Sequence, residues 1–172
     1  MSTKTKKVRP EIQALRAVGV AVVMIAHYWP QLIPGGYVFL DAFFVASGFL
    51  ITGILLREID RSGKISAPAF WVRRARRILP AALVVLLFCS VATFLIVPLN
   101  LWSQFFGEIQ ASALYFENWL LAHEAVNYFA ENSQPSPVQH YWTLSFEEQF
   151  YFAWPVLLLA LIVVGKKFKK II

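Results

Sequence analysis

The chain has 172 residues, is 58% hydrophobic and still carries a formal net charge of +6, with every Lys and Arg lying before Ile78 or after Gly165. Long apolar blocks between cationic clusters exclude a water-soluble globular domain, whose apolar residues would recur at short helical or strand periods. Cys89 is the single cysteine and falls inside such a block, which excludes an internal disulfide and a thiolate zinc site.

Met1 to Arg9 is a polar tail carrying Lys4, Lys6, Lys7 and Arg9. A charged start ahead of an apolar run resembles a signal peptide. Here the apolar core from Ala17 to Ala26 continues into His27, Tyr28, Trp29 and Pro30 without a small-residue cleavage site, which predicts an uncleaved first span over Ile12 to Trp29. Gln31 to Gly36 is a short turn, and a second span, Val38 to Leu56, follows at once. Arg57 to Arg77 reads as a cationic loop in which Arg57, Arg61, Lys64, Arg73, Arg74, Arg76 and Arg77 face only Glu58 and Asp60. Leu79 to Val97 is the third span, with Pro80 near its start, where a first helical turn tolerates the missing N–H. Pro98 ends it. Asn100 to Thr143 is mixed: a half-polar segment, Trp102 to Leu121, precedes the turn-rich NSQPSP. The last span is Leu144 to Val164, followed by GKKFKKII.

Positive-inside logic puts the tail, the middle cluster and the closing lysines on the cytoplasmic side. The number of crossings between Arg77 and Lys166 must then be even, so Trp102 to Leu121 is expected as an amphipathic or re-entrant outer helix carrying Gln104, Glu108, Gln110, Glu117 and Asn118. The predicted fold is all-α, a polytopic transmembrane helix bundle of about four spanning helices plus that outer helix, multi-pass in the cell membrane with a cytoplasmic N-terminus.

Within this frame the ionisable residues of the spans are candidate site residues, because charge at membrane depth normally faces protein or water. Arg16 and His27 are eleven residues apart, about three turns, and share one helix face; snorkelling of each toward its nearer interface is the bland alternative. By depth, His27 lies at the outer end of span one, Asp41 about a turn below the outer end of span two, and Glu147 and Glu148 in the first turn of span four. His27 oriented by Asp41 would make a general base for a hydroxyl. Alternatively Asp41 caps its helix, and Ser145 with Glu148 forms a capping box that leaves Glu147 the freer carboxylate. Arg73, Arg74, Arg76 and Arg77 suit phosphate, as guanidinium forks do, or merely mark the inner face and its anionic lipids. Phe70 and Trp71 beside them read as interfacial anchors, and nucleic acid is a poor partner for a cluster abutting a membrane. The same polar residues would equally serve a proton-coupled transporter.

Four stretches in order, LRAVGVAVVMIAHYW, LDAFFVASGFLITGILLRE, FWVRRARRILPA and HYWTLSFEEQFYFAWPVLL, resemble the N-terminal signatures of the acyltransferase type 3 family of integral membrane acyltransferases. The resemblance implies transfer of an acyl group, commonly acetyl from acetyl-CoA, to hydroxyls of exported glycans or other carbohydrates, with no metal. It casts Arg16 and His27 as the family's Arg and His pair, and Arg73 with Arg76, or Arg74 with Arg77, as its Arg-x-x-Arg element. Glu147 and Glu148 match its acidic pair, and His140 and Trp142 its His-x-Trp element as candidate acceptor contacts. Asp41, Ser47 and Gly48 match its Asp-x-Phe-Phe-Val-x-Ser-Gly element, Ser47 and Gly48 reading better as packing residues. Family members carry more spans than are found here. Residues 1–9 are therefore expected to be a cytoplasmic tail and residues 10–172 the N-terminal part of an acyltransferase domain whose C-terminal spans are absent, whether as a truncated product, a half awaiting its partner or an inactive fragment.

Overall fold

The computed structural model describes residues 9–125 and 134–169, with side chains as far as Gly165. Lys4, Lys6 and Lys7, the first two residues of NSQPSP and the side chains of the closing lysines lie outside the described residues. The described chain is all-α. Its helices are α1 (Pro10–Tyr28), α2 (Phe39–Ser62), α3 (Ala67–Ile96), α4 (Trp102–Ala113), α5 (Glu117–Ala125) and α6 (Tyr141–Lys169). Four of them, α1, α2, α3 and α6, are long and apolar enough to cross a membrane. The chain divides into two compact units, residues 1–57 and 58–172.

In the first unit, small residues let helices approach. A methyl group added at Gly19 would come within 2.6 Å of Cζ of Phe43, and one at Gly36 within 2.5 Å of Cβ of Ala26, itself 0% exposed. Ser47, Ile51 and Leu55 form the buried stripe of α2, as the packing reading of Ser47 expects. Arg9 lies over the Phe49 ring, 5.3 Å from its centroid.

The expected cationic loop is mostly helix. α2 runs on to Ser62 and stops where Gly63 takes φ +70°, its N–H bonded to the Ile59 carbonyl at 2.7 Å. α3 begins at Ala67, with Pro68 in its first turn. Hydropathy marks only the part of a helix that suits lipid, whereas Arg is a good helix former and carries α3 a further three turns toward its N-terminus. Pro80 consequently sits inside α3 rather than in its first turn.

In the second unit α3 and α6 run antiparallel in a register fixed by three contacts. Nε1 of Trp71 donates to the Tyr151 carbonyl at 3.2 Å, Arg74 pairs with Glu148 at 3.1 Å, and the Tyr141 hydroxyl donates to the Ala82 carbonyl at 3.0 Å. The first of these has a covalent cause. Pro155, inside α6, has no N–H to give to the carbonyl four residues earlier, and that carbonyl belongs to Tyr151. Trp71 supplies the missing donor and stacks on Phe152 at 4.7 Å between ring centroids. Phe70 is 3% exposed, so this pair docks α3 within the protein instead of anchoring it at an interface.

α4 is amphipathic and buries Phe105, Glu108, Ile109 and Ser112. Its Ile109 joins Leu86 and Cys89 of α3 and Val138 in one apolar cluster. The segment expected as one outer helix is two. α4 ends in a Schellman turn: the Tyr115 N–H reaches the Ser112 carbonyl at 3.2 Å and the Phe116 N–H reaches the Ala111 carbonyl at 2.8 Å. The left-handed position is filled by Tyr115 at φ 59°, where glycine is usual.

Candidate active site

A cavity of about 420 Å³ lies within the second unit. Its walls are Trp71, Arg74 and Ala75 of α3, the corner residues Leu114, Tyr115 and Phe116, and Glu148, Gln149, Tyr151 and Phe152 of α6. Arg74 is its charged centre. One terminal nitrogen donates to Oε1 of Glu148 at 3.1 Å, and the guanidinium carbon stands 4.0 Å from the Tyr151 ring centroid. Both partners of the ion pair are about four-fifths buried, with side-chain exposures of 20% and 19%. The Arg74 charge is thus balanced by Glu148 at the cavity wall, with Nε left as a buried N–H that has no acceptor among the described residues.

The four arginines of RRARR divide sharply. Arg74 alone lines the cavity. Arg73 turns the other way and meets Glu58 at 3.6 Å with its side chain 59% exposed, and Arg76 and Arg77 are exposed. Arg74 belongs to the second of the two Arg-x-x-Arg frames, whose other member, Arg77, does not line the cavity.

The acidic pair divides too. Glu148 takes the guanidinium, while Oε2 of Glu147 accepts from the Tyr151 hydroxyl at 3.2 Å. The expected capping box does not form: α6 starts at Tyr141, so Ser145 is already inside the helix, buried, with its hydroxyl unpartnered among the described residues. Depth sorting by charge separates the arginines from Glu148 by the thickness of a bilayer, whereas the structure puts Arg74 and Glu148 in contact. The reason is again that α3 begins before its apolar run and α6 before Leu144, so their polar first turns overlap.

Two features of the cavity wall carry no signature in the sequence. Gln149 uses its whole amide: Nε2 donates to the Tyr115 carbonyl at 2.7 Å and to Oδ1 of Asn118 at 2.9 Å, while Oε1 accepts from Asn118 at 3.2 Å and from Trp119 at 3.1 Å. It clamps the α4–α5 corner to α6 next to Glu148. Tyr115 holds a left-handed conformation that costs a non-glycine residue about 1 kcal/mol, strain of the kind that gathers at functional positions. Burial, followed by the charge of Glu148, holds its phenol above the usual tyrosine range, so it stays a neutral hydroxyl.

The first unit carries the histidine. His27 is exposed, one residue before the end of α1. Its Nδ1 lies 2.9 Å from the Val23 carbonyl, and the Tyr37 ring meets it edge-on at 5.1 Å. Donation from Nδ1 to that carbonyl leaves Nε2 as the basic nitrogen of the ring. Arg16 is exposed three turns earlier on α1. Asp41 is exposed in the first turn of α2, where a carboxylate complements the positive end of a helix. His140 and Trp142 flank the start of α6, His140 exposed and accepting the Thr143 hydroxyl on its carbonyl at 3.0 Å. Among the described residues no group of three or more His, Cys, Asp or Glu is arranged to hold a metal ion.

The model of an acyltransferase domain matches residues 9–172. The chain belongs to the acyltransferase type 3 family. A Staphylococcus aureus (strain COL) protein named "Putative O-acetyltransferase" is 42% identical over 171 residues, which are 98% of this chain and 28% of that relative. The peptidoglycan O-acetyltransferase of Listeria monocytogenes is 36% identical over 155 residues, 90% of this chain and 25% of its own. The chain therefore spans about a quarter of the length of the curated relatives it matches. No solved structure matches it.

Proposed function

We propose that this chain forms part of a membrane O-acetyltransferase that moves an acetyl group from acetyl-CoA to a hydroxyl of an exported glycan, with peptidoglycan, named for the Listeria relative, as the first acceptor to try. The observation that carries the reading is the Arg74–Glu148 pair lining a cavity, in a chain of this family. Arg74 would take a phosphate oxygen of the donor, and the exposed Arg76 and Arg77 would add charge for the remaining phosphates.

The chemistry assigned to the first unit is proton transfer. An acceptor hydroxyl attacks the thioester carbonyl and Nε2 of His27 takes its proton. The new C–O bond forms as the C–S bond breaks, and the imidazolium returns the proton to the leaving thiolate. In this scheme the Val23 carbonyl holds the ring in the tautomer with the proton on Nδ1, and Asp41 stabilises the start of its helix. In the full-length protein in membranes, His27→Ala is expected to lower acetyl transfer at least 100-fold, the scale of a lost general base. Undiminished transfer of labelled acetyl from acetyl-CoA to glycan by that variant would refute the assignment. A wild-type protein that moves solute without acylating it would refute the enzyme reading altogether.

A further inference from the structure

Behind the cavity wall lies a second acidic pair that this chemistry does not use. Gln104, Glu108 and Ser112 follow one another at single turns along α4, and Glu117 opens α5 just past the corner. Glu108 and Ser112 are each 1% exposed and Glu117 is 0% exposed. Glu108 is well supplied with donors: Oε1 accepts from Gln104 at 2.9 Å and Oε2 accepts from the Ser136 hydroxyl, while Gln104 also donates to the Gln134 carbonyl at 2.8 Å. Glu117 is not. Neither of its carboxyl oxygens, nor the neighbouring Ser112 hydroxyl, has a well-formed hydrogen bond among the described residues, although Ser112 and Glu108 are both near enough to act on it. The charges that act on Glu117 are both negative, Glu108 first and then Glu124. Two neighbouring carboxyls in a dry site, with no cation acting on Glu117 among the described residues, cannot both ionise.

We propose that Glu108 and Glu117 hold one proton between them and that this neutralised pair is a positioning element for the wall of the Arg74–Glu148 cavity. The proton resides on Glu117, whose carboxyl burial and the Glu108 charge push up to about 8, against a smaller lowering by Ser112. The link to the cavity is covalent: Glu117 directly follows Phe116, and Leu114, Tyr115 and Phe116 are cavity wall. Losing the proton sets two like charges in a dry corner. Their relief is movement of Glu117 toward water, which drags Phe116 and the Gln149-held Tyr115 with it. The other titratable groups around this corner are Glu124 and His123 on α5, Tyr115 at the corner, Cys89 and Arg74 on α3, and Tyr141 and Glu148 on α6. Glu124 is raised by burial and by Glu108 and lowered by His123.

Glu117 binds its proton in the folded state up to about 8 but only to the ordinary 4.5 when unfolded. The native state therefore holds a proton that the unfolded state has released between those values. Stability is highest below 4.5, falls as pH rises toward 8, and levels above it. The activity readout rests on the proposed acetyl transfer; the stability readout does not. The test is thermal melting and acceptor kcat/KM of the full-length protein across the acid to alkaline range, for wild type, Glu117→Gln and Glu108→Gln. The wild type is expected to melt progressively lower up to pH 8 and to lose kcat/KM about tenfold per pH unit above it. Glu117→Gln makes both profiles shallower, the remainder coming from Glu124, which burial also raises, and from Glu148, and Glu108→Gln, by removing the like charge, moves the midpoint to lower pH. Wild-type profiles in both variants would overturn the proposal. If Glu117→Gln does not fold, the Glu108→Gln midpoint decides. A wild type without acetyl transfer at any pH defeats the function reading alone, because its melting profile still tests the pair.

Discussion

Arg73 and Arg74 are adjacent in sequence and about 100° apart around α3, and the two faces they occupy have opposite chemistry. The outward face offers Arg73 a loose partner, Glu58 at 3.6 Å, with most of its side chain in the open. The face toward α6 offers Arg74 a carboxylate at 3.1 Å, an aromatic ring and a cavity. An exposed pair is screened and contributes little, whereas a pair taken mostly out of water becomes costly to break because the survivor is left charged and unpaired. A run of arginines that reads as uniform charge is thus one binding residue with exposed neighbours.

The largest effect expected from breaking this contrast is at Arg74. Arg74→Ala should destabilise the full-length protein by about 3 kcal/mol, because Glu148 is stranded. Arg74→Met combined with Glu148→Met should recover most of that loss, since no charge is then buried alone. Melting of the three proteins in one detergent reads both numbers. Gln149→Ala comes next, at about 2 kcal/mol, from the Tyr115 carbonyl and the Asn118 amide left without partners. It should also raise the donor KM more than it lowers kcat, because the cavity wall loosens while the base on α1 is untouched. Trp71→Phe is the smallest: it keeps the stack on Phe152 and loses only the N–H given to the Tyr151 carbonyl, about 1 kcal/mol by the same melting assay.

What the sequence made legible was whatever lipid imposes locally. The four apolar runs became α1, α2, α3 and α6, Cys89 sits in an apolar cluster, and Asp41 falls in a first helical turn. The signature stretches led to the family before any coordinate did. The misses share a cause, which is that the deciding partner is distant in sequence or hidden in the backbone. The start of α3 at Ala67 was masked because hydropathy is blind to a helix made of arginines. Pro155 was visible, but the carbonyl it frees is satisfied by Trp71, 80 residues earlier. The pairing of Arg74 with Glu148 bridges 74 residues, and nothing local separates Arg74 from Arg73. The α4–α5 corner had no glycine to announce it, because Tyr115 takes the left-handed position itself. The stripe Gln104, Glu108, Ser112 was readable as one helix face, yet the sequence could not tell that this face is dry.

Arg74, and not its neighbour, lines the cavity. The most direct measurement is acetyl transfer from acetyl-CoA to glycan by the full-length protein carrying Arg73→Ala or Arg74→Ala, each compared with wild type at equal membrane abundance. Arg73→Ala is expected to stay within about threefold of wild type, as an exposed pair should, and Arg74→Ala to lose at least 100-fold, as loss of a charged contact to the donor should. Equal losses in the two variants, or an active Arg74→Ala, would contradict this expectation.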